Sequence, residues 1–121
     1  MAVVELTKEN FEETVTNNDF VVVDFWAPWC GPCRSFAPTY EKVSEDFPNV
    51  VFAKVNTEDE QEIAGHFQIR SIPTLMIFRE KVIIFSQAGA LPESGFRDLL
   101  QKASELDMAE VHQQIEQETA G

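Results

Sequence analysis

The chain has 121 residues, the size of one ordinary globular domain. Nine Lys and Arg residues against 21 Asp and Glu residues give it a formal net charge of −12, which repels phosphate backbones and anionic membrane surfaces. This charge nearly excludes a nucleic-acid-binding protein. The apolar runs at 75–78 and 82–85 are much shorter than a membrane span, and residues 1–5 lack the basic start and apolar core of a secretory signal. We therefore expect a cytoplasmic protein.

The first predicted element is a helix capped by Thr7, because Phe11 and Val15 recur at helical spacing after it. The apolar residues of segment 2–6 could extend its buried face. Residues 17–19, Asn-Asn-Asp, are turn formers and predict the end of the helix.

A strand buried on both faces is predicted for residues 20–27, which are dense in valine and aromatic side chains. Asp24 is the single charge in this run. It could be a solvated carboxylate on an edge strand, but the apolar flanking residues favour burial.

The next helix is predicted from Cys33 onward. Pro38 within the pattern predicts a kink, and residues 48–49, Pro-Asn, predict the end. The apolar positions at helical spacing are Phe36, Ala37, Tyr40, Val43 and Phe47.

The following segments alternate between strand and helix, which is typical of an α/β fold. A strand is predicted for residues 50–56, a short acidic helix for 58–67 and a further strand for 74–78. The β-rich run 81–88 follows after so short a link that the two strands must form a hairpin. Its turn residues, Glu80 and Lys81, are poor turn formers.

A further helix begins near Pro92, with a buried stripe of Phe96, Leu99, Leu100 and Ala103. The composition then changes, because residues 104–121 contain five acidic residues and no Lys or Arg. We predict a domain over 1–104 and an acidic helical tail over 105–121.

Within the tail, residues 107–118 are predicted to form a separate helix. Asp107 and Glu110 have the spacing of a capping box, and Met108, Val111 and Ile115 fall on one face. So short a stripe cannot fold alone. It must dock on its own domain or on a second copy of the chain, and we favour a homodimer or a partner contact.

The two cysteines, Cys30 and Cys33, enclose Gly31 and Pro32 between a predicted buried strand and a predicted helix. A helix N-terminus favours thiolate over thiol, because its free N–H groups and dipole stabilise negative charge. Cys30 is therefore the predicted nucleophile. Cys33, one turn into the helix, is the predicted resolving thiol.

At four separated places the chain resembles the thioredoxin family, over about residues 4–103. These places are 23–33 (Val-Asp-Phe-Trp-Ala-Pro-Trp-Cys-Gly-Pro-Cys), 53–56 (Ala-Lys-Val-Asn), 69–74 (Ile-Arg-Ser-Ile-Pro-Thr) and 88–90 (Ala-Gly-Ala). The resemblance implies the thioredoxin fold, with a central mixed β-sheet flanked by helices. It also implies reversible dithiol–disulfide exchange with protein substrates, no bound cofactor, and recycling by a separate thioredoxin reductase.

The resemblance further implies roles for individual residues. Asp24 would be the buried proton acceptor, Lys54 its neighbour, and Pro73 a cis proline facing the disulfide. The substrate-binding rim would comprise Trp29, Gly31, Pro32, Ile72 and Gly89.

Three positions depart from the family pattern: Arg34, Ser71 and Lys81, the last in a turn where glycine is usual. None of them would touch the reacting atoms. The tail has no counterpart in short thioredoxins.

Two alternatives stay open from the residues. The cysteine pair could be half of a zinc site, although the chain offers only His66 and His112 as further soft ligands. The chain could also be a thioredoxin-fold interaction module whose tail docks a fixed partner. We predict a protein-disulfide reductase, since the nucleophile, the resolver, Asp24 and Pro73 are all present.

Overall fold

The computed structural model describes the backbone of residues 3–120 and the side chains of residues 3–118. In chain order the elements are β1 (Val3–Glu5), α1 (Phe11–Thr16), β2 (Phe20–Trp26), α2 (Gly31–Ser44), β3 (Val51–Asn56), α3 (Gln61–His66), β4 (Thr74–Arg79), β5 (Val82–Ala88), α4 (Glu93–Glu105) and α5 (Met108–Ala120). No helix in this described part is long and apolar enough to cross a membrane.

The five strands form one mixed sheet in the order β1-β3-β2-β4-β5. The first three strands in that order are parallel, whereas β4 runs antiparallel to β2 and to β5. This confirms the expected α/β class and the predicted hairpin. The central strand β2 is buried along nearly its whole length, as its apolar sequence predicts.

Helices cover both faces of the sheet, and the alternation of β2 side chains separates two cores. One core contains Val22 together with Tyr40 of α2 and Phe96 of α4. The other contains Val23 and Phe25 on the side of α1 and α3. Because side chains alternate along a strand, Asp24 and Trp26 lie on the same face of β2 as Val22, which is the α2 side.

The prediction for the N-terminus is wrong in two respects. Within segment 2–6 the structure has the strand β1 rather than a helical face, paired in parallel with β3. Thr7 does not cap α1, because Asn10 is the N-cap and its side chain accepts a hydrogen bond from the Thr7 N–H at 2.7 Å. The short strand lacked a recognisable alternation, and its pairing partner lies about 50 residues away.

Two later helices are shorter than predicted. The helix α2 ends at Ser44, before Phe47, which still packs against the core, and Ala37 is exposed rather than buried. The helix α3 begins at Gln61, because the Asn56 side chain first accepts a hydrogen bond from the Glu58 N–H at 2.9 Å. Such a local turn competes with helix formation.

The β4–β5 turn places two residues with side chains in the left-handed region, with φ of 51° at Glu80 and 71° at Lys81. The sequence predicts this strain, because a two-residue hairpin turn favours glycine or asparagine there. The Glu80 N–H donates to the Asp19 carbonyl at 2.8 Å.

The tail forms the helix α5, which begins after a break at Leu106 and is capped by Asp107, whose side chain accepts from the Glu110 N–H at 3.2 Å. Met108 is buried, Val111 is half-buried and Ile115 is 39% exposed. The N-terminal end of the predicted stripe therefore packs against the chain's own domain.

Candidate active site

The two cysteines form a disulfide at the point where β2 leads into α2. Cys30 is the N-cap of α2, and its Sγ accepts a hydrogen bond from the Cys33 N–H at 3.2 Å. The remaining residues of the motif, Gly31 and Pro32, form the exposed first turn of the helix. A hydrogen bond from a first-turn N–H, at the positive end of a helix, is the environment that favours a thiolate.

Burial distinguishes the two sulfurs less than the sequence suggests. Cys30 is 5% exposed and Cys33 is 2% exposed, and both pack with Ala27, Trp26 and Ile72. Cys30 is thus less exposed than we expect for the attacking thiol. Its position as N-cap, rather than its exposure, distinguishes it from Cys33.

Asp24 is buried, with 4% of its surface exposed, and its Oδ1 has no hydrogen-bond partner among the described residues. Removal from water penalises the charged form and raises the pKa of Asp24 to about 7, while the positive charge of Lys54 opposes this increase. The expected burial of this carboxyl is confirmed.

Lys54 is opposite Asp24 in the parallel register between β2 and β3. Its Nζ lies 4.9 Å from the centre of the Trp26 ring, within the range of a cation–π interaction. The Trp26 Nε1 is buried without a hydrogen-bond partner among the described residues. Trp26 was not among the predicted site residues, since one aromatic side chain in an apolar strand is not distinctive.

A cavity of about 80 Å³ joins these groups. Asp24, Trp26, Lys54 and Cys33 line it, and Arg34 and Glu41 of α2 are also among its lining residues. The resolving cysteine and the buried carboxyl thus line one cavity, which a proton could cross.

The loop before β4 lies against the disulfide. The Ile72–Pro73 peptide bond is cis, as predicted, and the Ile72 carbonyl oxygen lies 3.9 Å from the Cys30 Sγ. The Pro73 carbonyl accepts a hydrogen bond from the Gly89 N–H at 2.7 Å. This bond brings the end of β5 to the same edge of the sheet.

Trp29 is the most exposed large apolar side chain among the described residues, at 65%. It precedes Cys30 directly, so its indole adds apolar surface beside the disulfide. Exposed aromatic groups of this kind are typical of protein-binding surfaces. The structure therefore brings the predicted rim residues to one end of the sheet.

A metal site finds no support in this geometry. Among the described residues, no group of three or more His, Cys, Asp or Glu side chains is arranged to hold a metal ion. His66 is an exposed residue of α3 beside Phe67, and the His112 Nε2 lies 2.9 Å from the Glu80 Oε1.

Curated proteins similar to this chain include one from Streptomyces coelicolor named "Putative thioredoxin 2", which is 56% identical over 97% of this chain and 87% of its own length. At that coverage the alignment extends into α5. The thioredoxin of the red alga Porphyra purpurea is 43% identical over 84% of this chain and 97% of its own length.

Solved structures agree in fold. A mutant thioredoxin from Halobacterium salinarum superposes with a TM-score of 0.81 at 27% identity, covering 88% of this chain and 94% of its own. Plasmodium falciparum thioredoxin gives a TM-score of 0.76 at 31% identity, covering 84% and 98%. The Thioredoxin family model matches residues 2–102. The fold, the cysteine pair and these relatives together show that the chain belongs to the thioredoxin family of thiol-disulfide oxidoreductases.

Proposed function

We propose that this protein reduces disulfide bonds of other proteins, with Cys30 as nucleophile and Cys33 as resolving thiol. The observation that supports this proposal most directly is the shared cavity of Cys33 and Asp24 behind a cysteine pair at a helix N-terminus. It combines an activated sulfur with a carboxylate whose raised pKa allows it to accept a proton near neutral pH.

In the first step the Cys30 thiolate attacks one sulfur of the substrate disulfide. A bond forms between Cys30 and that sulfur, the substrate S–S bond breaks, and the other substrate sulfur leaves as a thiolate. The free N–H groups of the first turn of α2 stabilise the charge on Cys30 before the attack.

In the second step the Cys33 thiol passes its proton to Asp24, and the Cys33 sulfur attacks Cys30. The mixed disulfide breaks, the second substrate thiolate leaves, and the Cys30–Cys33 disulfide forms. Two electrons have moved from the enzyme to the substrate. The raised pKa of Asp24 suits it for this transfer, and Lys54 limits the increase.

The substrate would bind at the rim formed by Trp29, Gly31, Pro32, Ile72 and Gly89. Trp29 offers the apolar contact area. The Ile72 main chain, next to the Cys30 sulfur, would pair with an extended substrate segment. Pro73 would keep a backbone N–H away from the sulfurs, because proline has none.

We expect the dithiol to act as a reductant. The Gly-Pro pair adds no positive charge next to the thiolate, and a charged or histidine-containing pair would favour the reduced form and give an oxidant. A separate thioredoxin reductase would return two electrons to the disulfide. A cytoplasmic location fits this role, because cytosolic thiols are kept reduced.

The division into a domain over 1–104 and an acidic tail over 105–121 also remains a proposal, as does a homodimer through the tail. The half-buried Val111 and the exposed Leu106 leave apolar surface on and beside α5 for such a contact. The acidic side chains around them would favour a basic partner surface.

The decisive experiment is a turnover assay with a disulfide-bonded protein substrate and a dithiol or a thioredoxin reductase as electron source. The wild-type chain should catalyse many cycles, and Cys30→Ser should catalyse none. Stable binding of a substrate without turnover would instead favour an interaction module.

A further inference from the structure

The Lys54 side chain contacts an aromatic ring, although its neighbour on β2 is the buried carboxyl of Asp24. Four ion pairs of Lys or Arg with carboxylates and one histidine–carboxylate contact are found among the described residues, and none involves Lys54. Its Nζ instead lies over the Trp26 ring, 4.9 Å from the centre. Among the described residues, this ammonium thus contacts an indole ring and forms no ion pair with a carboxylate.

A second carboxylate, that of Glu5, lies on the neighbouring strand and competes for the charge of Lys54. Glu5 of β1 is the register partner of Lys54, as Lys54 is of Asp24, so Lys54 lies between two acidic residues on neighbouring strands. Glu5 comes two residues after Val3, so both side chains lie on the same face of the sheet. Val3 packs against the core on the α2 side of that sheet. Because Glu5 is exposed, an ion pair with it would draw the ammonium toward water and away from Asp24.

We propose that Trp26 is a positioning residue, whose indole ring holds the Lys54 ammonium beside Asp24 and away from Glu5. The ring does this by electrostatic attraction between the cation and its π face. The same residue lines the cavity that Asp24 and Cys33 share. This inference deepens the proposed function, because Asp24 is the proposed base.

The groups that face Asp24 are few, so the effect of Lys54 can be isolated. Lys54 on β3 supplies positive charge, and the α2 residues with polar or titratable side chains around the cavity are Cys33, Arg34, Tyr40 and Glu41. Tyr40 is buried and its hydroxyl hydrogen-bonds with main-chain carbonyls, so it stays neutral. Among these groups, Lys54 is the one whose charge lowers the pKa of Asp24.

Loss of the indole has two opposite effects on the pKa of Asp24. Release of Lys54 toward Glu5 weakens the favourable charge and raises the pKa, whereas entry of water into the cavity lowers it. A double-mutant cycle with Lys54→Met separates them, because only the water effect remains when the lysine charge is absent.

The test measures the Asp24 pKa from its carboxyl ¹³C chemical shift in the wild type, Trp26→Leu, Lys54→Met and the double variant. We expect Trp26→Leu to raise the pKa by about 0.5 unit or more in the Lys54 background. In the Lys54→Met background the same change should leave the pKa unchanged or lower it. Equal shifts in the two backgrounds would overturn the proposal.

Three further variants extend the test. Trp26→Phe retains a π face and should shift the pKa less than Trp26→Leu, and Glu5→Gln added to Trp26→Leu should return part of the shift. Trp29→Leu is the control, since that exposed indole is not in the cavity. A Trp26→Leu shift matched by Trp29→Leu would contradict a specific role.

Should Trp26→Leu fail to fold, fluorinated tryptophan incorporated into a Trp29→Phe protein weakens the π face while keeping the ring shape. The pKa of Asp24 should then rise relative to the same variant with ordinary tryptophan, and no rise would refute the proposal. A pKa shift without any change in the pH dependence of turnover would instead refute the role of Asp24 as base.

Discussion

His112 of the last helix contacts Glu80 at the tip of the β4–β5 hairpin, with the Nε2 and Oε1 atoms 2.9 Å apart. Glu80 follows the C-terminal end of β4, whereas Pro73 directly precedes its N-terminal end. The six extended residues of β4 separate Glu80 from Pro73, a distance of roughly 20 Å. The tail therefore packs at the end of the sheet opposite the disulfide, where it can affect stability without covering the reacting sulfurs.

Replacement of Met108 by Ala should destabilise the protein by about 2 kcal/mol without changing turnover. Met108 is buried at 5% exposure, and truncation of such a side chain loses apolar contacts and leaves a cavity. Chemical denaturation and a disulfide-reduction assay measure the two effects. The control is Gln114→Ala on the exposed surface of α5, which should be nearly neutral. A loss of turnover in Met108→Ala below its unfolding temperature would contradict the separation of tail and site.

Replacement of Asp24 by Asn should stabilise the protein and slow the second step of disulfide reduction. Burial raises the pKa of Asp24 from 3.8 to about 7, so at high pH the folded state carries an unfavourable charge. At about 1.4 kcal/mol per pKa unit, the gain reaches up to about 4 kcal/mol above pH 7.

The pH dependence supplies the check on this prediction. Between about pH 4 and pH 7 Asp24 retains a proton in the folded state that it has lost in the unfolded state, so the contribution of Asp24 to wild-type stability falls as pH rises through this window. The Asp24→Asn gain should grow across the same window and be small below it. Asp59→Asn, at an exposed aspartate, should show no such trend. A gain independent of pH would exclude titration of Asp24 as its cause.

Replacement of Cys33 by Ser should trap a mixed disulfide through Cys30, because the attacking sulfur remains while the resolving sulfur is lost. Mass spectrometry of the trapped complex after proteolysis identifies the linked cysteine. The matched variant is Cys30→Ser, which should trap little substrate, since Cys33 lies within the first turn of α2 and lacks the N-cap position of Cys30. Better trapping by Cys30→Ser would reverse the assignment of the two thiols.

Two glycine-to-alanine changes should differ in their effect on the free energy of unfolding. Gly89 has φ of 105°, a conformation that a side chain disfavours, although no atom lies near the added Cβ. Gly89→Ala should therefore cost about 1 kcal/mol or more through backbone strain. Gly65, in α3, has open space and ordinary backbone geometry, so Gly65→Ala should be neutral or stabilise by up to about 1 kcal/mol. Thermal unfolding of both variants checks the contrast.

Much of this molecule could be predicted from its sequence, because the informative patterns are local. The valine-rich run of β2, the cysteine spacing and the helical stripe of α4 each specify one element. Asp24 was recognisable as a buried charge because apolar residues flank it on both sides.

Other features could not be predicted because they depend on distant parts of the chain. The strand β1 is defined by its pairing with β3, not by its own three residues. The contact between Trp26 and Lys54 depends on the pairing of two strands that are distant in the sequence. The position of α5 depends on the hairpin tip that His112 contacts. The apolar stripe of this helix does not by itself indicate whether it packs on its own domain or on a second copy of the chain.

The alternation of side chains along β2 has a consequence for folding. Asp24 faces the cavity that Lys54 also lines, and its neighbours Val23 and Phe25 pack in a cluster of apolar side chains on the other face of the sheet. A slip of β2 by one residue against β3 or β4 would exchange the two sides. The carboxyl would then enter the apolar core, far from Lys54, at a large desolvation cost. The same aspartate that is proposed to accept a proton during the reaction thus also penalises misaligned sheets while the chain folds.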